Sequence, residues 1–274
     1  MRVRILFLAL ALTLTQTPVI ANPTSKCTKA CTPAIGPAGG YMYKYVAGKQ
    51  QRKDITGKWQ KRDQRSESAF DPIRVAAYKS IYSLQSDPQA SNLKFEYIVR
   101  PGYPKSIENL IKLQLNQVAK RVSPLLDKPE TAKIFFITEK DSNWSRTELN
   151  KFVPENEYLG GLENLKYYGT KAGFYSRAGT GGGIAGYLTE KGYGYYISHT
   201  SSLATPETYW PEVVSHEFTH MLQGILANGF SSDYPEGHPK AKWHGHLVEG
   251  SANTLGMALG FESLGWYSDE MDRI

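Results

Sequence analysis

The spacing of apolar residues predicts a strand, a helix and a second strand in the first half of the chain. Residues 93–99 alternate between polar and apolar and then run apolar, as in a strand. Ser106 is a good helix cap, and the apolar positions that follow recur along one helix face until Pro124. Residues 133–138 predict a buried strand. We expect a long connection after that strand, because Asn, Glu and Gly residues are frequent there.

The second half of the chain predicts a β-hairpin that leads into a helix. The apolar runs 184–189 and 193–200 are joined by a short turn at 190–192. The glycine-rich run 179–183 lacks the Gly-Lys-Ser/Thr ending of a phosphate-binding loop, so we expect a flexible loop there. By contrast, residues 22–70 are rich in Pro, Gly, Lys and Gln. They predict an irregular lead-in to one domain formed by residues 71–274.

The first 21 residues have the pattern of a secretory signal. Arg2 and Arg4 form a basic start, residues 5–14 are almost entirely apolar, and the small residue Ala21 suits a cleavage site. The apolar run is too short to span a bilayer comfortably. We therefore expect cleavage after Ala21, a secreted or periplasmic location, and no membrane attachment of the mature chain.

Charge and cysteine content exclude some classes of site. Loss of Arg2 and Arg4 lowers the net charge from +6 to +4, and the remaining basic residues are scattered, so no nucleic-acid partner is expected. Two cysteines are too few for a Cys-rich zinc site. In an exported chain Cys27 and Cys31 can bridge each other, stay free or pair elsewhere.

One predicted helix carries two histidines on a single face. His216 and His220 are four residues apart, which puts their imidazoles one turn from each other. Proline at 206 or 211 suits the first turn, and Gly229 ends the helix. The opposite face is apolar and is formed by Val214, Phe218, Leu222, Ile225 and Leu226.

The pattern His-Glu-x-x-His on a helix is a signature of zinc hydrolases. His216 and His220 would supply two nitrogen ligands. Glu217 is not a ligand in this pattern and would act as general base on a water that the metal activates. A catalytic zinc needs a third protein ligand as well.

Glu249 is the candidate for that third ligand. The metzincin pattern requires a histidine where this chain has Leu226, and Asp233 lacks the sequence context of an aspartate ligand. Residues 243–259 predict a helix in which Glu249 shares a face with Ala252, Asn253 and Gly256. Small residues on that face would let this helix pack closely against the histidine helix.

The two motifs together, His216 to His220 and Leu247 to Ala252, resemble the gluzincin metallopeptidases of the thermolysin and M1 aminopeptidase superfamily. They are most similar to peptidase MA-like domains, and the resemblance covers roughly residues 184–260. It implies an α+β, zincin-like catalytic domain in which the edge strand of a small mixed sheet lies over the active-site helix and a glutamate helix follows. It also implies Zn²⁺ on His216, His220 and Glu249, with Glu217 as base and a peptide or protein as substrate.

Two features of the site stay open at this stage. In zincins an edge strand pairs with the extended substrate, and residues 192–199 are our candidate, although they also suit an ordinary strand. Only 25 residues follow Glu249, so the helical domain that supplies the oxyanion-stabilising residue in larger members is not expected. The candidates for that role, or for orienting a ligand, are His246, His244 and Tyr195, with Tyr193 and Tyr267 as further options.

Two other functions suit the same motifs. A secreted, non-catalytic zinc-binding or adhesive module would keep the histidines without turnover. A zinc hydrolase of a non-peptide amide would keep the whole catalytic set and differ only in its substrate.

Overall fold

A computed structural model describes residues 29, 31–36, 40–82, 92–138, 140, 142–153, 182–206, 211–227 and 245–273 of the 274-residue chain. The signal sequence and Cys27 lie outside these residues. The strands are β1 Tyr43–Val46, β2 Lys49–Lys53, β3 Trp59–Gln60, β4 Leu93–Val99, β5 Glu130–Thr138, β6 Gly182–Leu188 and β7 Tyr193–Thr200. The helices are α1 Pro72–Tyr82, α2 Lys105–Val122, α3 Ser142–Phe152, α4 Pro211–Ala227, α5 Gly245–Gly260 and α6 Leu264–Arg273. Among the described helices, none has both the length and the apolar character needed to cross a membrane.

The main sheet is mixed and has four strands in the order β4-β5-β7-β6. The β4, β5 and β7 strands are parallel, and β6 is antiparallel to β7. The predicted strand-helix-strand unit and hairpin are confirmed, and α2 forms the crossover that parallel pairing of β4 and β5 requires. The fold is therefore α+β with small sheets, as the sequence predicts.

Each face of the sheet is covered by different helices. Ile134 and Phe136 share one core with residues of α2 and α4, such as Leu115 and Phe218. Phe135 faces the opposite side with neighbours from α3, because successive strand residues point to opposite faces. The long connection predicted after residue 138 contains a helix that the sequence did not predict. This helix, α3, covers the second face of the sheet.

A second sheet replaces the irregular lead-in predicted for residues 22–70. The strands β1, β2 and β3 form an antiparallel sheet in that order. Gln50 and Arg52 on β2 are almost completely buried. Gln50 Nε2 donates to the carbonyl oxygen of Gly260, and Arg52 pairs with Asp269 at 2.6 Å. The prediction failed because these buried side chains are polar, so their strand has no apolar periodicity.

The last helix is fixed to the start of the histidine helix by a buried ion cluster. Arg273 on α6 contacts Glu212 on α4 and Glu270 on its own helix, each at 2.6 Å. Burial, followed by the nearby Glu270 charge, raises the pKa of Glu212 above its usual range, and Arg273 opposes this shift. Tyr43 on β1 donates a hydrogen bond to Glu270, so this cluster also holds the second sheet against α6.

Candidate metal centre

The two helices that carry the motifs lie in unusually close contact. A Cβ atom on Gly256 of α5 would lie 2.8 Å from the backbone N and Cα of His216 on α4. A Cβ on Gly260 would overlap the Ser215 side chain, and Ala252 between these helices is fully buried. The predicted face of small residues is therefore confirmed. It allows a carboxylate on α5 to reach the histidines on α4.

Three side-chain atoms from these helices converge on one point. Nε2 of His216 lies 3.0 Å from Nε2 of His220. Oε2 of Glu249 lies 3.3 Å from the first nitrogen and 3.4 Å from the second. Ligands of a tetrahedral ion with bonds of about 2.0–2.2 Å are separated by about 3.3–3.6 Å, so the triangle is close to the size that such an ion requires.

Burial and charge also suit a cation at this point. The side chain of His220 is 7% exposed, that of His216 is 21% exposed, and that of Glu249 is 56% exposed, so the triangle is open on one side. Hydrogen bonds from His216 and then His220 hold the pKa of Glu249 well below its usual range. Burial lowers the pKa of His220, but the hydrogen bond to Glu249 and the charges of Glu217 and Glu249 outweigh it and raise that pKa. The negative charges of Glu217 and Glu249 therefore favour a cation at this point, and one side of the triangle is open.

Glu217 lies against the strand at one edge of the main sheet. A methyl group on Gly183 of β6 would overlap Cγ of Glu217 and lie 2.6 Å from Cε2 of Tyr196. Tyr196 is buried beneath this point, and burial, followed by the Glu217 charge, raises its pKa well above the usual range. Glu217 can occupy this position because Gly183 has no side chain.

The edge-strand prediction was wrong, because β7 lies inside the sheet between β5 and β6. The backbone of β7 pairs with β5 on one side and with β6 on the other, so neither side is free for a substrate. The strand at the edge beside α4 is β6. Gly182 and Gly183 belong to it and not to the flexible loop predicted for 179–183, of which residues 179–181 lie outside the described part.

The predicted oxyanion candidates divide into two groups. Tyr195 points away from α4 and packs with Phe135 and Leu149 on the other face of the sheet, so its assignment to the site was wrong. Tyr193 packs against the same cluster, and Tyr267 lies in a third cluster with Tyr43 and Tyr78. His244 and the side chain of His246 lie outside the described residues, although His246 falls in the first turn of α5.

Sequence reasoning missed Gly183, Tyr196 and Gln223, each of which contacts a predicted site residue. Gln223 accepts a hydrogen bond from Nδ1 of His220, with 3.0 Å between the two atoms. Its position three residues after His220 was a visible signal, since residues at that spacing are neighbours on a helix. Nothing in the sequence marks the other two, because their role depends on how the sheet packs against α4.

Replacement of Gly256 by alanine is expected to separate the two helices. The new methyl group meets His216 backbone atoms, which cannot rotate away, so α5 must shift and carry Glu249 with it. We expect a loss of about 1–3 kcal/mol in the free energy of unfolding and weaker metal binding, measured by urea unfolding and zinc titration.

Gly250→Ala on the same helix is the matched control, because its methyl group enters open space. That variant should gain roughly 0.5–1 kcal/mol from helix propensity. Equal stability of the two variants would contradict the close packing.

The three donor atoms indicate which metal ion the site would prefer. Two imidazole nitrogens with one carboxylate oxygen are typical ligands of catalytic zinc, whereas magnesium and calcium prefer oxygen ligands alone. His216, His220 and Glu249 form the only such cluster in the part of the chain that the structure describes. Comparison of the chain with protein-family models, with curated proteins and with solved structures finds no match.

Proposed function

We propose that the protein is a secreted zinc-dependent peptidase of gluzincin type. One observation carries this proposal: the Nε2 atoms of His216 and His220 and the Oε2 atom of Glu249 form a triangle with sides of 3.0–3.4 Å. Its size and its donor atoms fit a tetrahedral zinc ion with a fourth position left open. The secretory pattern of the first 21 residues supports the extracellular part of the proposal.

The residues around the triangle have separate roles in this mechanism. His216, His220 and Glu249 would hold the zinc ion. When bound, zinc lowers the pKa of a water molecule and polarises the carbonyl group of the scissile bond. Glu217, which Gly183 allows to lie against β6, accepts the proton of the attacking water and passes it to the leaving amine.

The position of β6 explains how a peptide would be aligned beside Glu217. β6 pairs with β7 alone among the described strands, and we propose that an extended peptide binds along its other edge. Such a peptide would add a further strand by main-chain hydrogen bonds. Gly183 lies on this strand next to Glu217, so the scissile bond would pass close to the base.

The proposal is tested by metal analysis and hydrolysis of the mature chain. We expect one zinc per chain and hydrolysis of casein that stops when a chelator removes the metal and returns when zinc is restored. A zinc-free chain or chelator-resistant hydrolysis would contradict the proposal. One tightly bound zinc without hydrolysis of casein or mixed peptides would favour a binding module, unless a screen of non-peptide amides reveals turnover.

A further inference from the structure

A single glutamine side chain joins the two helices that carry the candidate ligands. Gln223 lies on α4, and its Oε1 atom is 3.0 Å from Nδ1 of His220. Its Nε2 atom is 3.2 Å from the carbonyl oxygen of Val248 and 2.8 Å from Oγ of Ser251 on α5. These two residues lie on either side of Glu249 in the sequence. One amide group therefore contacts the ring of one candidate ligand, His220, and the helix residues on both sides of another, Glu249.

The neighbours of this amide determine which way it points. The carbonyl oxygen of Val248 can only accept hydrogen bonds, and Oγ of Ser251 donates its own proton to that oxygen at 3.2 Å. Both atoms therefore face the NH₂ group of Gln223. In the reversed orientation two carbonyl oxygens would face each other at 3.2 Å without a proton between them. Oε1 of Gln223 must then face His220.

This orientation fixes the tautomer of His220. Oε1 of Gln223 can only accept, so Nδ1 of His220 has to carry the proton that is donated to it. A histidine binds a metal through its neutral form, and a neutral ring that keeps its proton on Nδ1 has its lone pair on Nε2. Nε2 is the atom that lies 3.4 Å from Oε2 of Glu249. The lone pair of His220 is thus directed to the point where the donor atoms converge.

We propose that Gln223 is a positioning residue of the metal centre. It sets the tautomer of His220 and ties the helix that carries Glu249 to the helix that carries the histidines. The proposal rests on the proposed function, because it takes the three residues to be metal ligands. A neutral amide achieves this without adding a third negative charge beside Glu217 and Glu249. Partners that orient a metal-binding histidine typically change metal affinity by about 10- to 100-fold.

Three variants separate the two contacts of the amide. Gln223→Leu removes both. Gln223→Glu keeps an acceptor for Nδ1 of His220 but loses the donor to α5. Ser251→Ala removes one acceptor on α5. Thr254→Ala is the matched control on α5, because its hydroxyl group donates only to the carbonyl oxygen of Gly250 among the bonds described.

Two measurements on each full-length variant test the proposal without using activity. Nitrogen-15 NMR of the metal-free protein, at a pH high enough for His220 to be neutral, reports which ring nitrogen of His220 carries the proton. Competition with a chelator gives the zinc dissociation constant. Gln223→Leu is expected to lose the single Nδ1–H tautomer and to bind zinc about 10- to 100-fold more weakly. Gln223→Glu should keep the tautomer, and Ser251→Ala should weaken binding by about two- to tenfold, the worth of one hydrogen bond.

The outcomes distinguish this inference from the proposed function. A Gln223→Leu variant that keeps both the tautomer and the zinc affinity of the wild type would overturn the positioning role, even if the enzyme is an active zinc peptidase. If that variant does not fold, a Ser251→Ala variant as tight as Thr254→Ala and a Gln223→Glu variant with a changed tautomer would overturn it. A wild type that binds no zinc would overturn the proposed function, while the NMR measurement would still decide whether Gln223 sets His220.

Discussion

The Glu249→Ala variant is expected to lose its zinc at protein concentrations at which the wild type retains it. Glu249 supplies the only carboxylate oxygen of the donor triangle, 3.3 Å and 3.4 Å from the two imidazole nitrogens. Structural zinc sites with four protein ligands contribute about 10–16 kcal/mol, so one ligand accounts for roughly 2.5–4 kcal/mol, or about 10²- to 10³-fold in affinity. Metal analysis after dialysis, together with a zinc titration, measures this loss.

Two comparisons make the Glu249 result specific. The Glu249 side chain is 56% exposed, so its removal should leave the metal-free protein folded, as circular dichroism would show. Glu190→Ala removes an exposed carboxylate from the hairpin turn and should retain full zinc content. If Glu249→Ala binds one zinc as tightly as the wild type, the third ligand lies elsewhere. Residues 228–244, which include Asp233 and His244, would then be the place to search.

The histidine helix and its partner could be predicted because two kinds of pattern coincide in them. The apolar residues Val214, Phe218 and Leu222 are buried on one face of α4, and the histidines lie on the other. On α5, Glu249 shares its face with small residues, and Gly256 indeed contacts the backbone at His216. Both patterns are local to one helix, so periodicity alone reveals them.

The parts that could not be predicted depend on contacts between distant segments. Gln50 and Arg52 are polar in sequence and buried in the structure, because Gly260 and Asp269 supply their partners. Tyr195 and Tyr196 are neighbours in sequence, and only the packing of α4 on one face of the sheet decides which of them is beside the site. Glycine at 183 suggested a loop because glycine is common in loops, whereas here it makes room for Glu217.

The Glu217→Gln variant is expected to keep zinc and lose most of its hydrolytic activity. Glu217 contributes no atom to the donor triangle, and glutamine has nearly the same shape, so the metal content should stay at the wild-type value. The amide cannot accept the proton of the attacking water, and loss of a general base typically lowers turnover by about 10²- to 10⁴-fold. The measurement is kcat/KM for a peptide substrate beside metal analysis of the same sample.

Gly183→Ala tests the proposed base from the side of β6, without changing Glu217 itself or a proposed zinc ligand. Its methyl group would overlap Cγ of Glu217 and displace the carboxylate from β6, so activity should fall while zinc stays bound. The neighbouring Tyr196 is buried and cannot easily move to relieve the overlap.

Full activity with full zinc in Glu217→Gln would show that another group accepts the proton. Full activity in Gly183→Ala alone would show instead that Glu217 works from a position away from the edge strand.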